Sequence, residues 1–594
     1  MTIPALLLRL PGRRPSPDLE PGDLPRPGTP RWVDALMLCV VAAGAYGILR
    51  AAAEWRAPVQ RGSVLDLSVW RLPVYAGLST LRMALAYIVS LAFSITYARI
   101  AAASRTAERF MLPLLDILQS IPILSFMPGV VIGLAALFPG RNTGLELAAV
   151  ILIFTSQAWN LAFSFHQSLI TIPRELTEAA TVYRLGFWRK FTRLELPFGA
   201  ISLIANSMMS WAGGWFFLMA SEQFTLPNTN LRIPGLGSYL ADAADQGNRH
   251  ALVLGLLTLV AVIVLLDQML WRPLVAWSDR FKIEQSAASD APRSFMLEIL
   301  QGSALVEMIQ ARALRPAVRW MDRTFSPDPT PSDAIEPAML ATRSRAASRR
   351  FAIVAGLVAL ALVLWGVVAI LGAIAGLSAS EWGVIALSAG ATLLRTTIAL
   401  ALAAAWTVPV GVWIGTNPRW AQRVQPLVQI TASVPATALF PVLLLGLLRL
   451  PGGLNLAAVA LMLLGTQWYV LFNVIAGAMA IPSDLKEAGT IYQVVGWRRW
   501  KTLILPAIFP YLVTGMITAT GGAWNASIVS EYVTFAGQKV TTVGLGALIA
   551  GAVDRGDFRM LLAGTLMMST IVITGNRLVW RRLYALAESR YRLE

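Results

Sequence analysis

The sequence predicts an all-α polytopic membrane protein built from two parallel six-helix repeats. Three observations carry that prediction. Of 594 residues, 56% are hydrophobic and 14% charged, with a mean hydropathy of +0.61, too apolar for a soluble globular chain. Apolar stretches near the ~20 residues that a helix needs to cross hydrocarbon recur along the chain, separated by short charged segments. The segment Glu175–Pro197 also returns almost intact as Asp484–Pro506, so the stretches fall into two sets.

Met1–Arg31 has a short apolar start and then a run rich in Pro, Arg and Asp. The charge follows the apolar stretch and no small-residue cleavage site occurs, so residues 1–32 read as a disordered cytoplasmic arm rather than a cleaved signal. A first half, 33–271, offers spans near 33–49, 75–98, 112–138, 147–165, 197–220 and 251–271. A second half, 351–594, offers them near 351–376, 384–415, 427–449, 455–479, 506–530 and 558–580. In each half the second and third stretches are long enough to be tilted or broken. Residues 272–350 form a charged linker. Its Pro-rich Ser326–Ser332 predicts an extended chain, and Met296–Met321 carries the period of amphipathic helices suited to a membrane surface or a partner, with simple tethering as the alternative.

About twelve spans place both ends of the chain on one side. The segments Arg99–Arg109, Arg174–Arg193, Arg419–Arg423 and Arg498–Lys501 are basic, as are the stretches before 33 and after 580. The positive-inside rule puts them all in the cytoplasm, with both termini and both copies of the repeated segment. The net charge of +16 is spread over these loops and does not form a nucleic-acid-binding face. Cys39 is the only cysteine and His166 and His250 the only histidines, so neither an internal disulfide nor a Cys/His metal cluster is expected.

The duplication extends past its most obvious segment. Glu178 and Glu487, Pro197 and Pro506, Glu222 and Glu531, and Gly235 and Gly544 are each 309 residues apart. Arg82 and Arg395, Pro122 and Pro435, and Pro128 and Pro441 are 313 apart, the difference being a change in loop length. Six spans is an even number, so the copies share one orientation and their pseudo-two-fold axis runs along the membrane normal, with the pathway expected on it.

Glu178-Ala179-Ala180 followed by Leu196-Pro197, and Glu487-Ala488-Gly489 followed by Leu505-Pro506, resemble the Glu-Ala-Ala loop of permeases of binding-protein-dependent ABC importers. Ser120-Ile121-Pro122 with Pro128, and Ser433-Val434-Pro435 with Pro441, resemble the third core helix of the nitrate, sulfonate and taurine branch. Trp215 to Glu222 before Gly235-Leu236-Gly237, and Trp524 to Glu531 before Gly544-Leu545-Gly546, resemble that branch's fifth helix and outer loop. The likeness covers about 75–271 and 384–580, and a chain of two such halves is similar to a duplicated permease. One departure is shared by both copies: where the family has glycine six positions after the glutamate, this chain has Arg184 and Gln493. With Gly186 and Gly496 slightly later, the sharp turn is expected to be displaced toward them.

The resemblance implies a permease subunit of an ABC importer in the bacterial inner membrane, moving a small anion such as nitrate, a sulfonate, taurine or bicarbonate from periplasm to cytoplasm by alternating access. It implies two ATP-binding cassette ATPase subunits and a periplasmic substrate-binding protein as partners. ATP and magnesium belong to the ATPases: no Gly-x-x-x-x-Gly-Lys-Ser/Thr loop occurs here, and no cofactor is expected on this chain. The coupling residues implied are Glu178, Ala179, Ala180, Tyr183, Glu487, Ala488, Gly489 and Tyr492, on short helices opened by Pro173 and Pro482. The glutamates offer charge to a partner, the small residues close approach, and the tyrosines apolar contact.

Candidates for the pathway or gate are Arg82, Arg395, Pro122, Pro435, Glu222 and Glu531. The arginines either guide an anion or snorkel to the headgroups. The glutamates serve as gate or receptor contacts or as structural hydrogen-bonding groups, and the prolines kink their helices or line the path. Asn160, Asn206, Asn473 and Asn525 read as polar glue between helices. A secondary transporter of two parallel six-helix repeats is the alternative, and it calls for intramembrane carboxylates or histidines coupled to an ion gradient.

Overall fold

In a computed structural model of the chain, the structure describes residues 31–58, 65–226, 229–278, 281, 295–302, 308, 310–325, 361, 364–535 and 538–590. The predicted arm and the Pro-rich part of the linker lie outside these residues. Among the described residues seven helices are long and apolar enough to cross a membrane: Val69–Ala102, Thr143–Ile170, Arg249–Ser278, Ala379–Thr416, Gly453–Met479, Gly496–Ser530 and Phe558–Ala587. Two bent pairs bring the number to nine. Helices Arg31–Arg56 and Leu196–Ser221 stand where spans 33–49 and 197–220 are expected. The span expected at 351–376 lies partly outside the described residues, with Leu364–Ile374 helical.

The two copies match element by element. After the long helices Leu72–Ala102 and Ala379–Thr416 come Arg105–Ser120 and Pro418–Ser433, then Ile123–Leu137 and Ala436–Leu447, then Thr143–Ile170 and Gly453–Met479. Each copy continues with a short helix, a π-helical turn (Phe191–Glu195, Trp500–Ile504), a long helix (Leu196–Ser221, Leu505–Ser530) and an antiparallel hairpin. The hairpins pair Gln223 with Arg232 and Tyr532 with Thr541 at their open ends.

The expected third spans, 112–138 and 427–449, are not straight. Each breaks before its proline, at 91° between Arg105–Gln119 and Ile123–Leu137 and at 80° between Leu427–Ser433 and Ala436–Leu447. The cause is local. A residue before proline is driven out of the α region by the pyrrolidine ring, and Ile121 and Val434 stand at ψ 123° and 118°. Pro122 and Pro435 then cap the next helix, each offering its carbonyl to a backbone N–H three residues on, Ser125 at 3.1 Å and Ala438 at 3.0 Å.

Packing divides the chain into two units, 1–46 with 164–206 and 266–376, and 47–163 with 207–265 and 377–594. In the first, Thr143–Ile170 meets Leu196–Ser221 through Ser164 and Ser202, whose hydroxyls are 2.5 Å apart, and through Asn206, which donates to Ser164 at 2.8 Å. An edge of the Phe165 ring closes on Gly199, where a Cβ would stand 2.6 Å from the ring.

In the second unit the broken elements cross between copies. Leu124 N donates to Asn525 Oδ1 at 3.3 Å, and the equivalent Thr437 hydroxyl donates to the Phe216 carbonyl at 3.5 Å. The contact is isologous, as a two-fold relation requires. Asn160 bridges to Ser210 at 3.0 Å, whereas Asn473 bonds the Tyr469 carbonyl of its own helix. An apolar cluster of Ile123, Val131, Leu145, Leu152 and Ile233 holds the first broken element in place, and Ala436, Phe440, Leu444, Leu454 and Leu461 hold its counterpart.

Candidate functional site

Pro173 and Pro482 cap the short helices Arg174–Val182 and Ser483–Ile491 at φ −53° and −55°. Glu178 and Glu487 are exposed, Ala179, Ala488 and Gly489 half-buried, and Ala180 buried. The small residues therefore face the chain itself: a Cβ on Gly489 would touch Leu503 at 3.4 Å. Tyr183 and Tyr492 each stand 78% exposed, beside equally exposed Val182 and Ile491. Both copies present the same surface, two exposed carboxylates (Glu175 and Glu178; Asp484 and Glu487) with an apolar pair at the helix end.

The turn after each helix is not displaced. Leu185 N bonds the Ala180 carbonyl and Arg184 N that of Thr181, while Val494 N bonds Gly489 and Gln493 N bonds Thr490. This Schellman pattern demands a left-handed residue at the position after the cap, and Arg184 (φ 47°) and Gln493 (φ 50°) are the only non-glycine residues with positive φ among the described residues. The hydrogen-bond pattern fixes the turn at Arg184 and Gln493; of the later glycines, Gly186 stands at φ −60°, and Gly496 is left-handed as well, at φ 56°, in addition to Gln493 rather than in its place. The cost is steric, because a Cβ in this region approaches its own carbonyl. Arg184→Gly and Gln493→Gly are each expected to stabilise the protein by up to about 1 kcal/mol, read as a higher unfolding temperature.

At the opposite end of Leu196–Ser221, a buried charge cluster forms in the second unit. Arg82 donates Nε to Glu146 Oε2 at 2.6 Å, Nη2 to Glu146 Oε1 at 2.8 Å and Nη1 to Glu222. Glu222 also accepts from the Ser79 hydroxyl at 2.5 Å and from Gly237 N at 2.6 Å, and its backbone carbonyl accepts from Ser238 Oγ and Ile233 N. The second copy repeats the arrangement. Glu531 accepts from Arg395 Nη1, the Thr392 hydroxyl and Gly546 N, each at 2.8 Å.

Gly235 and Gly544 are required by this approach, since a Cβ would stand 2.4 and 2.1 Å from the glutamate carboxyls. The copies differ in the other partners of the arginine. Where Arg82 meets the carboxylate of Glu146, Arg395 meets the amide of Asn455 at 2.7 Å and the Thr542 hydroxyl at 3.0 Å.

The two expectations for the arginines, anion guiding and snorkelling, therefore give way to a third. Arg82 is 2% exposed and its guanidinium is occupied by two carboxylates, so it reaches no headgroup layer and offers no free charge. Arg395, with a side chain 11% exposed, is bound to Glu531 in the same way. Glu222 and Glu531 are fully buried and carry the hydrogen-bonding role that the sequence left open beside gating.

Next to these clusters lies a cavity of about 210 Å³. Its walls are equivalent positions of the two copies: Leu124 with Thr437, Met127 with Phe440, Pro128 with Pro441, Met219 with Ile528, Leu240 with Ile549 and Asp245 with Asp554. Gln223, Tyr532 and Gly237, direct neighbours or hydrogen-bond partners of the buried glutamates, also line it. The clusters thus fix the wall from behind, and Pro122 and Pro435 aim the elements that carry Leu124 and Thr437.

Charged groups at the cavity are paired within the protein: Arg232 with Asp242 and Asp245, and Asp554 with Lys539 and the Tyr532 hydroxyl. Outside the spans, the bond to Asp554 raises the Lys539 ammonium above its ordinary range, while burial and then Asp554 raise the Tyr532 phenol.

Sequence reasoning missed Ser79, Thr392, Glu146 and Asn455. Ser79 and Thr392 lie 313 residues apart, the spacing of the arginines three positions on, and Glu146 and Asn455 lie 309 apart. A search for polar residues matched at those spacings would have found them.

Residues 80–270 and 407–592, more than half of the chain, match the family described as binding-protein-dependent transport system inner membrane component. Among individual relatives, the chain is 24% identical over 189 residues to the nitrate import permease protein NrtB of Leptolyngbya laminosa, covering 32% of this chain and 64% of the relative. It is 27% identical over 143 residues to the bicarbonate transport system permease protein CmpB of Synechococcus elongatus, 24% of this chain and 50% of the relative. It is 28% identical over 186 residues to the osmoprotectant import permease protein OsmW of Salmonella typhimurium, 31% of this chain and 83% of the relative. The match thus spans about half to just under two thirds of the nitrate and bicarbonate relatives' length.

Proposed function

The chain belongs to the family of binding-protein-dependent transport system inner membrane components, and from that premise we propose that it is the whole translocation pore of an ABC importer, with both permease halves on one chain. The observation that carries this reading is the acidic helix built twice to one design, with Glu178 and Glu487 exposed beside Tyr183 and Tyr492. A short helix held by its own Schellman turn is a rigid knob. Two such knobs on the cytoplasmic face of an inner-membrane protein with cytoplasmic termini seat two ATPase subunits, which hold the ATP and magnesium. Their closure rocks the halves about the pseudo-two-fold axis and alternates access to the cavity, which a periplasmic binding protein loads.

The cargo is a small anion, a reading supported by relatives named for nitrate and bicarbonate. No unpaired cation at the cavity is needed for this: an anion passing a wall of satisfied charges is held weakly enough to leave, and selection falls to the binding protein. That Glu222 and Glu531 are each held by an arginine, a hydroxyl and a backbone N–H supports a structural role for them rather than ion coupling.

The test is uptake by proteoliposomes containing the chain, its ATPase and its binding protein, with labelled nitrate, bicarbonate, an alkyl sulfonate and a neutral solute. Uptake of one of the anions that needs ATP and survives a protonophore is expected. Preference for the neutral solute would refute the cargo class, and collapse with the proton gradient would favour a secondary transporter.

A further inference from the structure

One segment of the linker has a chemistry that the pore does not use. The helix Arg315–Phe325 follows a π-helical turn, Gln310–Leu314. Arg312, Arg315 and Arg319 are exposed and recur at spacings of three and four, so they share one side of the helix. Val318 and Met321 are half-buried on the other side, in a row that Leu314 and Phe325 continue in the sequence. Trp320, 64% exposed, stands on the flank. Arg312 reaches the Met308 sulfur, and Arg319 the Arg315 carbonyl.

The depth of this helix is given by its neighbour. Within the first unit, Arg315–Phe325 lies against Phe187–Lys190, which continues through Phe191–Glu195 into the membrane helix Leu196–Ser221. The linker helix therefore sits level with the end of a span, where headgroups are. A second apolar helix of the linker, Phe295–Gly302, presents Phe295 at 74% exposure in the same unit. Adjacent apolar and arginine rows with a tryptophan between them are what an interfacial helix needs to bury one side at the acyl boundary and bond phosphate with the other.

We propose that the linker segment Gln310–Phe325 docks on the membrane surface and binds anionic lipid headgroups through Arg312, Arg315 and Arg319. The inference rests on the membrane reading of the helix ending at Ser221 and is independent of what the pore carries. Bound there, the linker spans between the halves as a surface-attached strap rather than a free tether.

The test uses the full chain with Cys39→Ser and Thr324→Cys, labelled at residue 324 with a polarity-sensitive fluorophore. It is reconstituted in nanodiscs of phosphatidylcholine or of equal parts phosphatidylcholine and phosphatidylglycerol. A blue shift and quenching by headgroup-level spin-labelled lipid are expected in the anionic discs. Arg312→Gln with Arg315→Gln and Arg319→Gln should lower the docked-to-free ratio by roughly a hundredfold, at about fivefold per arginine. Glutamine keeps the helix propensity, and Arg315→Gln alone, with its about fivefold effect, serves if the triple variant does not fold. Equal emission in both discs, or emission indifferent to the substitutions, overturns the proposal. A shift that appears only with the ATPase overturns it in favour of a protein partner.

Discussion

Arg82→Met is expected to destabilise the protein by about 3–5 kcal/mol, because removing the cation of a buried ion cluster leaves its carboxylates without a counter-charge, although Glu222 keeps Ser79 and Gly237 N as donors. Two carboxylates are left in this case, Glu146 and Glu222, both with side chains no more than 2% exposed. Arg395→Met should cost clearly less. It strands Glu531 alone, which keeps Thr392 and Gly546 N as donors, while Asn455, a neutral amide, loses the Arg395 donor and keeps Thr542. Adding Glu146→Gln to Arg82→Met should recover a substantial part of the loss by removing one stranded charge. Thermal unfolding of the detergent-solubilised protein, followed by size-exclusion fluorescence, measures all three. Equal losses at Arg82 and Arg395 would mean that Glu146 contributes nothing to the cluster.

Glu178→Ala together with Glu487→Ala is expected to abolish ATP-driven uptake while leaving the fold intact. Both side chains are exposed, so their removal strands no group inside the protein, and the unfolding temperature should stay within a degree or two, as surface substitutions do. At a docked interface the balance differs. Truncating one member of a desolvated charge pair costs about 2–5 kcal/mol, so each ATPase subunit should bind at least tenfold more weakly, and the loss occurs at both sites. Copurification of the ATPase and uptake in proteoliposomes are the measurements, and undiminished uptake by the double variant would sink the coupling assignment. Each single variant should retain one docked subunit but little transport, since closure needs two.

The parts of this fold legible in the sequence are those set by local pattern. Apolar length marked the spans, and proline positions marked the starts of the short helices at Pro173 and Pro482 to within a residue. The break at Pro122 and Pro435 follows from the residue before each proline, although a 27-residue apolar run also reads as one span. The turn at Arg184 was misread because sequence shows a residue's preference and not the demand of the hydrogen bonds around it. Two bonds at Leu185 and Arg184 outweigh about 1 kcal/mol of steric cost.

Arg82 was misread for another reason. Its partners lie 64 and 140 residues away, and nothing in the neighbourhood of an arginine near a helix start tells a snorkelling side chain from one claimed by distant carboxylates. The repeat was the usable signal, because Ser79 and Thr392 keep the spacing of the arginines they accompany.

The π-helical turns say something about how the chain came to be. A π turn is a helix holding one residue more than its ladder has room for, and the turns at Phe191–Glu195 and Asp267–Trp271 recur at Trp500–Ile504 and Asn576–Trp580. The two inserted residues sit at matching places in both copies, so the economical history has them present in a single ancestral half before the gene doubled. The left-handed Arg184 and Gln493 belong to the same early layer, since both copies lack the glycine. Glu146 and Asn455 belong to a later one: the copies differ there, so that change followed the doubling, once two halves shared a chain and no longer had to serve as either side of a symmetric pair.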